Sequence, residues 1–202
     1  WVEEPEVRNA VLELLRLRYL VGGAASERLP ELFANSVLAA EEITEALGVQ
    51  VRQAVELVVA AFDEAAADAR NRGEDDPLPD DGDAIYEAVV TVLMRVVFLL
   101  FAEERGLLPS GSLYAMGYGL SDQLDELTAR AQDEGESTLD ATHLTWHRLL
   151  ATSQALYAGA TFEDMRLPAY GGSLFDPARF PFLTATTARG TLALTVSDRV
   201  ML

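Results

Sequence analysis

His143 and His147, in the stretch "HLTWH", stand four residues apart, so on a helix both imidazoles can face one cation. The pair lacks the glutamate of the HExxH pattern and has no identified third ligand. It is therefore expected as a surface or half-buried histidine pair, and His143 and His147 remain the weak metal candidates of the chain. Glu103, Glu104 and Arg105 in "AEERG" set two carboxylates side by side, the raw material of acid–base chemistry. Adjacent helical residues point about 100° apart, however, and do not easily share one substrate atom. The expectation is structural: one carboxylate holds a neighbouring loop, and Arg105 complements the negative end of the helix dipole. Gly171 and Gly172 in "AYGGSLFDP" would let a backbone come close to a ligand, but no helix start of the kind a phosphate cradle needs follows them. A glycine turn is expected instead, with Leu174 and Phe175 plugged into an apolar pocket and Asp176 and Pro177 turning the chain. Ser110, Ser112, Ser121, Ser153 and Ser173 lack any G-x-S-x-G setting.

Composition narrows the chemistry further. All 15 basic residues among the 202 are arginine, so a GKS phosphate loop or a PD…ExK nuclease centre cannot be complete. The 33 acidic residues bring the net charge to −18, which opposes a large nucleic-acid footprint on this segment. Cysteine is absent, which removes disulfides, thiolate metal sites and cysteine nucleophiles, and the cytoplasm is the expected compartment. The N-terminal "WVEEPEVRNA" has neither the basic nor the apolar part of a signal peptide. The chain starts at Trp1 and stops where Ser197 or Asp198 should cap a new helix, so a fragment of a longer polypeptide is expected.

The elements that must position these residues read as helices. Apolar residues from Val7 to Leu17 follow helical spacing, and "VGGAAS" should end that element. A second helical region is expected over 29–47, reaching Gly48, and a third carries the stripe Val51, Val55, Val58, Val59 and Phe62. The acidic, proline-containing "GEDDPLPDDGD" reads as a linker or long loop, giving an N-terminal helical segment 1–72, a linker 73–83 and a helical domain 84–202. The apolar run 88–102 is interrupted by Arg95, so a buried helix is expected rather than a membrane span, stopped by Gly106 and Pro109. Arg95 then needs a partner: Glu87, Thr91 or another helix. An acidic helix near 121–134 follows, then a helix capped by Asp140 or Thr142 that carries Trp146 into the core and ends near Gly159. Only "TLALTV" alternates with period two. The fold class is mainly α, a bundle-like multi-helix domain with an ordered Gly/Pro/aromatic loop region near the C-terminus and little strand.

Four segments in series, "FAEERGLLP" at 101–109, "YGL" at 118–120, "WHRLL" at 146–150 and "GGSLFD" at 171–176, resemble the helical region upstream of the catalytic domain in type IIG restriction-modification enzymes and the related adenine-specific DNA methyltransferases of the DISARM and BREX phage-defence systems. The resemblance covers about 84–202 and rests on order and spacing. It makes Arg95, Glu103, Glu104, Arg105, Gly106, Pro109, Trp146, Gly171, Gly172, Phe175 and Asp176 framework residues. It implies a connector within a parent polypeptide that uses S-adenosylmethionine, meets DNA through its other domains and works with other defence subunits. Neither an FxGxG loop nor an (N/D)PPY motif occurs here, so no catalytic or cofactor-binding residue is expected in this chain. The alternatives are an acidic interaction module or DNA mimic, motivated by the charge, and a small enzyme built on the histidine pair or on Glu103 and Glu104.

Overall fold

The computed structural model describes residues 5–16, 24, 28–162 and 165–202. In it the chain is mainly helical. The elements are α1 (Pro5–Leu14), α2 (Leu29–Asn71), α3 (Gly82–Glu104), α4 (Ser112–Gly117), α5 (Ser121–Glu134), α6 (Leu144–Ala158) and α7 (Asp198–Met201), with short 3-10 turns at Glu136–Leu139 and Pro181–Leu183. The one described sheet is a hairpin of β1 (Ala160–Phe162) and β2 (Met165–Leu167), paired antiparallel with Thr161 opposite Arg166.

Two compact units divide between Arg52 and Gln53. In the first, Trp1–Arg52, the described residues form α1 and the N-terminal part of α2. The expected end of α1 at Gly22 and Gly23 lies outside the described residues. Gly48 does not end a helix, because α2 runs through it. An internal glycine costs about 1 kcal/mol relative to alanine, which a helix of 43 residues absorbs.

The second unit, Gln53–Leu202, contains the main core. The stripe expected on α2 supplies Val58 and Phe62, and Phe62 meets Trp146 of α6 edge to face at 5.8 Å. Trp146 is fully buried and its indole N–H donates to the Leu194 carbonyl at 3.0 Å. The acidic stretch after α2 lies inside this unit as a loop between two helices. Pro77 is buried and Leu78 packs against the core, while Asp81 accepts from the amides of Asp83 and Ala84 and caps α3.

At 23 residues and a mean hydropathy of 2.1 over its best window, α3 is longer than its apolar run and meets the length and composition of a membrane span. One third of that window is buried in the fold, with Ala88, Val89, Val92 and Leu99 in the core. Its end is a Schellman turn: the Leu107 amide reaches the Ala102 carbonyl at 2.9 Å, the Gly106 amide reaches Glu103 at 3.0 Å, and Gly106 holds φ +63.

Two local readings change. The stretch between Pro109 and the acidic helix, for which no element is expected from the sequence, contains α4. "TLALTV" forms no strand, only an isolated bridge between Thr186 and Leu192, although its alternation survives in the burial of Leu194 and Val196. The hairpin takes the strand role instead. It is entered through Gly159 at φ +82, where a Cβ would stand 3.1 Å from the Ala169 amide nitrogen.

Leu99 is fully buried and Val97 is 60% exposed on the same helix. Leu99→Ala should cost about 2–5 kcal/mol in urea unfolding. Val97→Ala should stay within about 0.5 kcal/mol. Similar losses for both would mean that α3 does not present these two faces.

Candidate functional site

The residues singled out in "AEERG" sit at the end of α3, where the chain turns into α4 and α5. α5 begins after Leu120, which offers no side-chain cap, so its first amides need an acceptor from elsewhere. Glu103 supplies it. Its Oε1 accepts from the Leu120 amide at 2.8 Å and the Tyr114 hydroxyl at 3.0 Å. Its Oε2 accepts from the Ser121 amide at 2.8 Å and the Ser121 hydroxyl at 2.6 Å. Burial, then the charge of Glu103, then the bond to it hold the Tyr114 hydroxyl far above its usual pKa, so Tyr114 is a permanent donor. With four donors on its two oxygens, Glu103 serves as a structural acceptor. A cavity of about 350 Å³ beside it is lined by Glu104, Pro109, Tyr114 and Asp122. Arg105 is the C-cap residue of α3, and its guanidinium lies 5.2 Å over the Phe101 ring.

Arg95 is 3% exposed, and its partner is neither Glu87 nor Thr91 nor a helix. Its Nε donates to the Leu174 carbonyl at 2.7 Å in the glycine loop. Glu87 pairs with Arg179 instead, and the Thr91 hydroxyl donates to the Glu87 carbonyl, the local bond that a helical threonine makes most readily. Burial, then the nearby Arg179, lower the Arg95 pKa, and Asp176 opposes them. The loop has the expected shape. Gly171 and Gly172 hold φ +63 and +83, Phe175 is buried and meets Phe98 edge to face at 5.3 Å, and Asp176 accepts from the Ala178 amide at 2.9 Å to turn the chain.

The histidines are arranged differently from a shared ligand pair. His143 is the residue before α6, not on it, and His147 places Nδ1 2.6 Å from the His143 carbonyl oxygen. Among the described residues no group of three or more His, Asp or Glu gathers as a metal site would. His143 lines a polar cavity of about 600 Å³ with Glu64, Asp68, Arg72 and Arg199.

Sequence reasoning placed Asp198 only at the start of a new helix, where Ser197 is the cap, and missed its role at α6. Asp198 is fully buried and accepts from the amides of Thr145 at 2.8 Å and Leu144 at 3.2 Å, so it caps α6 from more than 50 residues away. Asp140, one of the two caps expected for α6, instead pairs with Arg199 at 3.3 Å. The Thr142 backbone carbonyl accepts from the Asp198 amide at 2.7 Å. Burial pushes the Asp198 carboxyl up, but the donors around it outweigh burial and hold it below 3.8. The Thr142 and Thr145 hydroxyls face it short of hydrogen-bond geometry, which leaves the two amides as the firm donors. Arg148 was missed too. It donates to the carbonyls of Met116 at 2.7 Å, Gly119 at 2.9 Å and Ala115 at 3.3 Å, and Thr152 donates to Tyr118 at 2.8 Å. The helical placement of Arg148 and Thr152, one turn apart beside Trp146, is the only signal that would have grouped them.

Glu103→Ala strands two amides and a buried hydroxyl and should cost about 2–4 kcal/mol in chemical denaturation. Glu104→Ala, on the exposed side, should cost no more than about 0.5 kcal/mol. Because the folded pKa of Asp198 is depressed, its stabilisation is present above 3.8 and lost as the pH falls through the folded value. The stability difference between the wild type and Asp198→Asn should therefore be full at pH 6 and shrink below about pH 4. A difference independent of pH would remove the carboxylate from the capping role.

No protein-family model, no curated protein and no solved structure matches this chain.

Proposed function

We propose that this chain is a helical connector of a prokaryotic adenine-specific DNA methyltransferase from a restriction-modification or phage-defence system, and that it carries no methyl-transfer chemistry of its own. One observation supports this reading above the others. Three of the four segments that carry the resemblance bond to one another, and the fourth is tied to the same helix as the first. Glu103 in the first holds Leu120 in the second, Arg148 in the third holds Gly119 in the second, and Arg95 of α3, upstream of the first, ties the fourth to that helix through Leu174. Side chains that elsewhere act as bases or anion ligands are spent here on main-chain groups, which suits a part that fixes geometry.

In this reading S-adenosylmethionine is bound and the adenine methylated by other parts of the parent polypeptide. The partners are the rest of that polypeptide, DNA through its other domains, and further subunits of the defence system, all in the cytoplasm.

Calorimetric titration of residues 1–202 with S-adenosylmethionine and with duplex DNA should give no binding, while the parent polypeptide extended past Leu202 should bind both. Binding of S-adenosylmethionine by residues 1–202 alone would contradict the connector role. The charge of −18 favours a second reading, an acidic module that occupies the cleft of a basic DNA-binding protein. That reading requires affinity that falls steeply between low and high salt.

A further inference from the structure

α3 is apolar on both sides, although only one side meets the core. Tyr86, Val90, Met94, Val97, Phe98 and Phe101 are between 36% and 60% exposed, and their spacing places them within one face about 120° wide. The stripe is about 15 residues, or about 22 Å, long. A helix apolar all round is normally covered all round, and exposed apolar patches of this extent mark interaction surfaces. The stripe continues at its C-terminal end into an apolar cleft of about 540 Å³ walled by Phe98, Leu107, Tyr170 and Phe175. Such a cleft suits one large anchoring side chain from whatever lies along the stripe.

Charge selects the occupant. Asp83 and Glu87 stand at the start of the exposed face and Glu104 at its end. Glu87 is paired with Arg179 and the Arg105 guanidinium lies over Phe101, so Asp83 and Glu104 are the acids that remain for a partner at the two ends. Two copies of a −18 chain, or this chain and an anionic membrane, repel one another before the apolar faces meet. A positively flanked apolar ridge is attracted to the same face.

We propose that the outward face of α3, with the adjoining cleft, seats an amphipathic helix of a protein partner whose apolar ridge is flanked by Lys or Arg. The apolar ridge lies in the stripe as a helix in a groove, an aromatic or leucine anchor enters the cleft, and the cationic flanks face the acids at the two ends. This proposal stands on α3 and on charge, and is independent of the connector reading.

The test titrates residues 1–202 with two labelled helical peptides of about five turns that share one Leu/Trp ridge, one flanked by Lys and the other by Glu. The Lys-flanked peptide should bind at least about tenfold more tightly than the Glu-flanked one. The double variant Met94→Ser/Val97→Ser, both positions more than half exposed and so compatible with an unchanged circular dichroism spectrum, should weaken the Lys-flanked peptide by at least about tenfold. The proposal is overturned if neither peptide binds, or if the double variant binds the Lys-flanked peptide as well as the wild type does. Concentration-dependent dimers in sedimentation that the double variant abolishes would assign the face to a second copy. Binding to phosphatidylcholine–phosphatidylglycerol vesicles that the double variant abolishes would assign it to a membrane, and either result overturns the proposal.

Discussion

The carboxylate of Glu103 joins three elements through four hydrogen bonds, all of them to groups that would otherwise be left without a partner at the start of α5 and on α4. The first turn of any helix exposes amides with no partner inside the helix, and most sequences solve this with a serine, threonine or aspartate just before the turn. Here α5 and α6 both begin without a cap from their own preceding residue. Glu103 serves α5 from the end of α3, and Asp198 serves α6 from the far end of the chain. These helix starts are therefore completed by tertiary structure and not by local sequence. Local order and global fold are coupled at two points where they are usually separate.

Arginine performs the converse task. Arg95 and Arg148 donate to carbonyls of loops and helix ends that cannot be satisfied within their own segments. A guanidinium, with five donors in a planar fork, can bridge several carbonyls at once, as Arg148 does across the end of α4, whereas an ammonium is a compact point donor. The buried charge of Arg95 is tolerated because the glycine loop brings a carbonyl to its Nε and keeps Asp176 nearby. Carboxylates that take amides at helix starts and guanidiniums that take carbonyls at loop and helix ends make one framework around α3, and this is why the most chemistry-like residues of the chain serve architecture.

Much of this was legible where the determinant is local. The apolar period of α3, its stop at Gly106, the packing of Trp146 and the plug formed by Phe175 all follow from side-chain spacing and turn chemistry. The holding role of a carboxylate in "AEERG" was legible as a type of interaction, while its partners were not. Asp198 escaped because it lies 53 residues from Thr145, and a sequence window sees it only as the start of α7. Gly48 misled because a helix tolerates a glycine when its neighbours favour continuation. The four-residue spacing of the histidines aligns two rings only when both are inside the helix, and His143 stands one residue before α6 begins.

The remote caps make the second unit one cooperative body. Native-state hydrogen exchange of the Leu120, Ser121, Leu144 and Thr145 amides tests this directly. If Glu103 and Asp198 close these helix starts, all four amides exchange with the free energy of global unfolding, and those of Leu144 and Thr145 lose protection selectively in Asp198→Asn. Fast exchange at these amides in the wild type, while the Leu99 amide stays protected, would show that α5 and α6 fray locally and would contradict the account.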